Sequence, residues 1–183
     1  DNPKLDLSGD DRSGLYISLI GSREAVKDTE AAKQLKREWS NFLDNTASSG
    51  KTAEQRAVYD SHRLSAYIDL GTPEKAIPML EQSARDFPDD YNPHARLASA
   101  YKAMKQYDKA LAESDLALAR AYGPRKILIL RQRADIDVAK GDKEAARKAL
   151  ADAIAYAKML PKEQVRASTI AALEKKLTDL TTQ

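Results

Sequence analysis

One pattern constrains this chain more than any other: a stretch of alanine-dotted helix occurs three times. It reads TPEKAIPMLEQSA from Thr72, YDKALAESDLALA from Tyr107 and DKEAARKALADAI from Asp142. Aligned on Ala76, Ala110 and Ala146, the copies stand 34 and 36 residues apart. Four residues after each anchor come Leu80, Ser114 and Leu150, and seven after come Ser83, Ala117 and Ala153. Nine before stand Tyr67, Tyr101 and Asp137; twelve before stand Leu64, Ala98 and Ala134. A period of this length marks stacked helix–turn–helix units, since one helix pair cannot bury its own apolar stripe and must lean on the next. The small residues have a physical purpose, because helix axes approach to about 8–10 Å only where side chains at the crossing are short.

The punctuation between helices fits the period. Pro88 closes the first copy and Pro124 the second, with two extra residues in the turn Ala121-Tyr-Gly-Pro124. Thr52 followed by Gln55 predicts a capping-box start for the first copy's leading helix, and Gly71 its end. Thr72-Pro73 then predicts a trailing helix with an N-cap residue and proline at the first position. Pro78 removes a bond to the Glu74 carbonyl and predicts a bend. Turns are expected at 87–93 and around Lys140-Gly141-Asp142, and 45–51 is the most loop-like segment of the chain.

These positions resemble the tetratricopeptide repeat family, whose 34-residue unit follows W-x2-L-G-x2-Y…A-x3-F…P. The second copy matches best, through His94, Leu97, Ala98, Tyr101, Ala110, Ser114 and Ala117. The first departs at Asp60 and Arg63, the third at Asp137, and the resemblance covers about residues 57–158. It implies an all-α fold, a right-handed α-solenoid of antiparallel helix pairs with about nine helices. It also implies a non-catalytic scaffold whose concave groove, lined by the leading helices, receives a peptide or protein. At those positions this sequence offers Ser61, His62, Ser65, Arg96, Ser99, Arg131, Gln132 and Asp135. A family variant grips a terminal carboxylate with lysines and asparagines. Here the matching positions hold Ser61, Ser65, Arg96, Leu128 and Gln132, so that ligand is not expected.

Around the repeats (52–160) the expected organisation is a loose segment 1–10, a helix pair 11–47 and a C-terminal capping helix within 162–183. Tyr16, Leu19, Ile20 and Val26 stripe the first helix of the pair; Leu35, Trp39, Phe42 and Leu43 stripe the second. Ala32 is the candidate anchor of a degenerate repeat, and Trp39 and Phe42, if outward, would let the pair self-associate into a homo-oligomer. Ile170, Leu173, Leu177 and Leu180 give the last helix one apolar face and a polar back, as an array end requires.

Chemistry-bearing constellations are sparse. The 183 residues contain no cysteine, which excludes disulfides, thiol nucleophiles and thiolate metal sites. His62 and His94 stand without ligand spacing, and no glycine-rich phosphate loop occurs. No catalytic residue, metal or cofactor is therefore expected. A net charge of +2 argues against nucleic acid as partner, and no apolar run is long enough to span a membrane. One charge asymmetry stands out: Arg120, Arg125, Lys126, Arg131 and Arg133 occur with no acid among them. They form either a patch for an acidic peptide or a terminal carboxylate, or locally paired charges, with Arg131–Asp135 and Arg133–Asp137 at i,i+4 spacing.

The sequence opens at Asp1 rather than Met, which suggests a removed leader or upstream domain and leans toward a periplasmic rather than cytoplasmic setting. The alternative to a free-standing scaffold is thus an accessory helical-repeat domain of a larger bacterial protein, such as a thioredoxin-like enzyme. RNA binding by helical repeats is a distant third reading.

Overall fold

The computed structural model describes residues 7–182. Its elements are α1 (Gly9–Ala25), α2 (Thr29–Ser48), α3 (Ala53–Ala57), α4 (Asp60–Asp69), a 3-10 turn (Pro73–Lys75) and α5 (Ala76–Asp86). Then follow α6 (Tyr91–Ala103), α7 (Tyr107–Arg120), α8 (Pro124–Lys140), α9 (Lys143–Met159) and α10 (Ala167–Thr181). The fold is all-α, and no strand occurs among the described residues. With α3 and α4 taken as one interrupted helix, nine helices are described. The chain divides into two compact units, 1–79 and 80–183, with the boundary inside α5.

The repeat register is a burial register. Ala76, Leu80, Ala110, Ala117, Ala146, Leu150 and Ala153 are fully inaccessible, and Ser83 and Ser114 nearly so. Twelve residues upstream of the anchors, Leu64, Ala98 and Ala134 are buried as well.

In the first unit α2 packs on α1, α3 and α4. Its core gathers Ile20, Trp39, Leu43 and Ala66, with Tyr16, Leu35, Phe42 and Tyr59 against them. Trp39 therefore points inward, contrary to the outward position that self-association required. On α1 the expected stripe is only half right: Ile20 is buried, whereas Leu19 and Val26 are exposed.

In the second unit successive helices pack in order, α6 on α7, α7 on α8, α8 on α9 and α9 on α10. Ile127, Leu130 and Ala134 of α8 meet Ala146, Leu150 and Ala153 of α9, and Leu173 and Leu180 of α10 join the same core. Ile170 and Leu177 pack against it, so α10 lays its whole apolar stripe on the array and leaves its polar face outward.

One turn recurs in every helix pair. Lys27, Gly71, Lys105 and Gly141 adopt left-handed φ of 59°, 74°, 59° and 92°. The N–H of the next residue donates five positions back, Asp28 to Arg23 (2.9 Å), Thr72 to Tyr67 (2.8 Å), Gln106 to Tyr101 (2.9 Å) and Asp142 to Asp137 (2.9 Å). This is the Schellman closure, which satisfies a helix-end carbonyl. Each left-handed residue stands five before an alanine, the anchors Ala76, Ala110 and Ala146, and also Ala32, which is buried.

Several boundaries differ from expectation. Gly9 and Asp10 are helical, and residues 1–6 of the expected loose segment lie outside the described residues. The loop-like 45–51 is helix through Ser48, capped by Ser49. The capping box of Thr52 and Gln55 is present, but the helix that it starts breaks at Val58-Tyr59. Thr72 makes no side-chain cap bond, and Pro73 opens a 3-10 turn instead of an α-helix. That turn accommodates Pro78: α5 starts at Ala76, so the proline falls in its first turn, where an N–H has no intrahelical acceptor.

Candidate functional site

The residues proposed to line a groove fall on three helices. In the first unit α4 exposes Ser61 and Ser65, while His62 is half-buried. The His62 ring lies 6.0 Å from that of Trp39, and its Nδ1 has no hydrogen-bond partner.

In the second unit α6 and α8 carry five of the named positions and bring two of them into contact. Gln132 Nε2 donates to the Ala95 carbonyl and to Ser99 Oγ, each at 2.7 Å, so these two groove positions hold each other. Asp135 pairs with Lys176 of α10, and Arg96 is half-buried on α6. Arg131 is exposed and makes no ion pair among the described residues.

Arg131 and Asp135 are on the wall of a cleft of about 500 Å³ between α8 and α10. Ile127, Leu128, Ala172 and Leu173 supply its apolar lining, and Ser168 and Thr169 its hydroxyls. Ser168 and Thr169 occupy the first turn of α10, whose N-cap residue Arg166 gives no side-chain bond. The Thr169 N–H donates to the Arg166 carbonyl (2.9 Å), and the start of the helix as a whole favours negative charge. The cleft thus combines a free guanidinium, two hydroxyls and a helix start beside an apolar floor. Sequence reading found Arg131 and Asp135 from the repeat register, but Ser168 and Thr169 carry no repeat signal and are found only through the packing of α10.

The acid-free run of bases is not one patch. Arg120 donates to the carbonyls of Pro88 (2.6 Å) and Leu116 (2.9 Å), tying the end of α7 to the turn before α6. Arg125 and Lys126 lie over the rings of Tyr122 and Tyr156, at 5.1 and 5.8 Å. Neither expected i,i+4 pair forms, because each carboxylate or base finds a cross-helix alternative: Lys176 takes Asp135, and Asp115 of α7 takes Arg133. Asp137 is left 3% exposed, with Oδ2 unpartnered. Burial pushes its pKa above the ordinary carboxylate value, with Arg133 pulling the other way.

His94, isolated in sequence, is not isolated in space. Its Nδ1 lies 2.7 Å from Oε2 of Glu113 on α7, and both side chains are largely buried. The first unit has its own polar cluster, where Arg63 Nε (2.8 Å) and the Tyr67 hydroxyl both donate to Asp44 of α2. Burial opposes the charge on Arg63, yet the bond to Asp44 carries its pKa above the usual guanidinium value. Burial and the same carboxylate raise that of Tyr67. Among the described residues no group of three or more potential ligands could hold a metal, and no helix is long and apolar enough to cross a membrane.

Compared with known proteins, residues 67–133 match the family model described as tetratricopeptide repeat. That segment is tetratricopeptide repeat. The match runs from the repeat-register Tyr67 through all of α6 and α7 into the middle of α8, so the copy closest to the family pattern lies wholly within it. No curated protein matches the chain by sequence. A solved structure named as the MamA RS-1 ArsTM double mutant is similar at 16% identity and TM-score 0.46, covering 94% of this chain and 96% of that one. Tetratricopeptide repeats are helical interaction scaffolds.

Proposed function

We propose that this chain is a non-catalytic scaffold that holds a peptide or protein segment against the leading helices of its repeats, with α8 and α10 forming the principal seat. The observation that supports this reading is Arg131: an exposed guanidinium without an acid partner, on a cleft with an apolar floor and a helix start opposite. A guanidinium and the start of a helix suit a carboxylate, and Leu128 beside them suits an apolar side chain. The preferred ligand is then an extended segment with an acidic side chain or terminal carboxylate next to a hydrophobic residue. On α6 Arg96 would make an accessory contact, and Ser61, His62 and Ser65 would offer a contact surface of the first unit taken by itself.

Selection of random peptides displayed against the purified chain tests the proposal. Enriched peptides should carry a carboxylate beside an apolar residue and should bind Arg131→Glu at least tenfold more weakly, with Arg96→Glu having a smaller effect. Enrichment without acidic character, or equal binding by Arg131→Glu, would overturn the assignment.

A further inference from the structure

The position nine residues before each anchor holds Tyr67, Tyr101 and then Asp137. In the first two copies it is a tyrosine: Tyr67 is buried and donates to Asp44 of α2, and Tyr101 packs against Ala98 and Ala110. In the third, the shorter Asp137 lines a cleft of about 300 Å³ between α7, α8 and α9. Leu118, Leu130, Ala145 and Ala149 make its walls apolar, and Asp137 lies among them.

The charges around this cleft do not balance. On its rim Arg133 is paired with Asp115, and Lys148 with Asp152 at 3.0 Å. Those four cancel. Asp137 is the fifth charge, almost wholly buried, and its Oδ2 meets no donor among the described residues. Lys140, the other nearby cation, is taken by Asp108 at 2.7 Å, and Asp142 adds negative charge. A buried carboxylate without a donor is costly to keep and is satisfied by a cation that brings its own hydrogen bonds.

We propose that the cleft between α7, α8 and α9 receives a lysine or arginine side chain of a protein partner, its aliphatic stem against Leu118, Leu130 and Ala149 and its charged head on Asp137. Lysine and arginine bury their methylene stems along apolar surface while a charged group engages the tip, and this cleft supplies both in that order. The site is separate from the cleft between α8 and α10 and does not depend on the reading of that cleft.

Nα-acetyl-lysine methylamide and its arginine counterpart serve as probes, with the norleucine analogue as an uncharged control of equal stem. Titrated into the whole isotope-labelled chain, the cationic probes should give saturable amide shifts at Leu118, Leu130, Ala145 and Ala149. Asp137→Asn should weaken binding at least tenfold while the rest of the spectrum persists. Asp137→Tyr, which restores the residue of the other copies, should abolish it by filling the cleft. Lowering the pH through the Asp137 titration should weaken binding in the native chain and not in Asp137→Asn; Asp115, Asp142, Asp152, Arg133, Lys140 and Lys148 are present in both. Equal binding of the norleucine control, unchanged affinity in Asp137→Asn, or no saturable shift with either cation would overturn the proposal.

Discussion

In the first copy, Arg63 and Tyr67 of α4 close on Asp44 of α2, so a carboxylate, a guanidinium and a phenol satisfy one another. In the third copy, Asp137 stands where Tyr67 stands in the first, and its nearest natural partner, Arg133, is committed to Asp115. Both departures from the repeat pattern put charge where an apolar side chain is usual. One is compensated and the other is not. The difference teaches that a broken consensus position is informative only once its partners are known: Arg63 reads as structure, Asp137 as an unfilled site. The turn between the two helices does not distinguish the copies, since those at Gly71 and Gly141 close in the same way.

The largest expected effect tests the compensated copy. Tyr67→Ala removes a buried ring and a donor to Asp44, and should cost about 3 kcal/mol of stability by urea denaturation. A loss as small as that of a surface substitution would mean that the first unit does not depend on this position. Arg63→Leu comes next. It leaves Asp44 to Tyr67 alone and should cost about 1 kcal/mol, a figure already reduced because Asp44 is partly exposed to solvent. Thermal melts at low and high salt check it, with the native chain losing more than the variant as salt rises. The smallest effect concerns the shared turn. Lys105→Gly relieves a left-handed lysine and should raise stability by about 0.5 kcal/mol, whereas Gly141→Ala should lower it by about 1 kcal/mol. No neighbour crowds a methyl group at Gly141, so its penalty is backbone strain alone. If Lys105→Gly is destabilising, the copies differ in backbone as well as in side chains.

Much of the fold was legible because the array repeats its burial. Ala76, Ala110 and Ala146, with the residues four and seven later, announced the helix crossings, and the apolar stripe of α10 announced its packing. What escaped was local competition. Pro78 reads as a bend in a continuous helix, but a 3-10 turn at Pro73–Lys75 delays the helix start to Ala76, so that the proline falls in the first turn. Asn45–Ser48 has loop composition, yet packing of Leu43 and Ala47 carries α2 through it. The anchor Ala32 could be suspected, but its register is visible only in the left-handed turn at Lys27. We take that turn as grounds for reading α1 and α2 as a further, degenerate copy, a proposal that does not rest on side-chain identity.

The candidate site was less legible than the fold. The register singled out Arg131, Gln132 and Asp135, but which of them stays free depends on cross-helix pairing. Helical spacing offered Asp135 and Asp137 to Arg131 and Arg133. Lys176 and Asp115, 41 and 18 residues away in sequence, take those roles instead. Likewise Glu113 meets His94 from the neighbouring helix, a pairing that no local motif encodes.

The uncompensated state of Asp137 is the premise on which the contrast between copies rests, and the pH dependence of stability tests it directly. A carboxyl group whose pKa is raised on folding binds more protons in the native than in the unfolded state, between its ordinary value and its raised one. Stability should therefore be fullest below the ordinary carboxylate value and fall as pH rises through that window. Asp137→Asn should lack this component: against the native chain it should gain about 1 kcal/mol at neutral pH, and the gain should vanish toward low pH. A variant less stable than the native chain at neutral pH, with the deficit closing as pH falls, would show that the Asp137 carboxylate is already satisfied and would contradict the account.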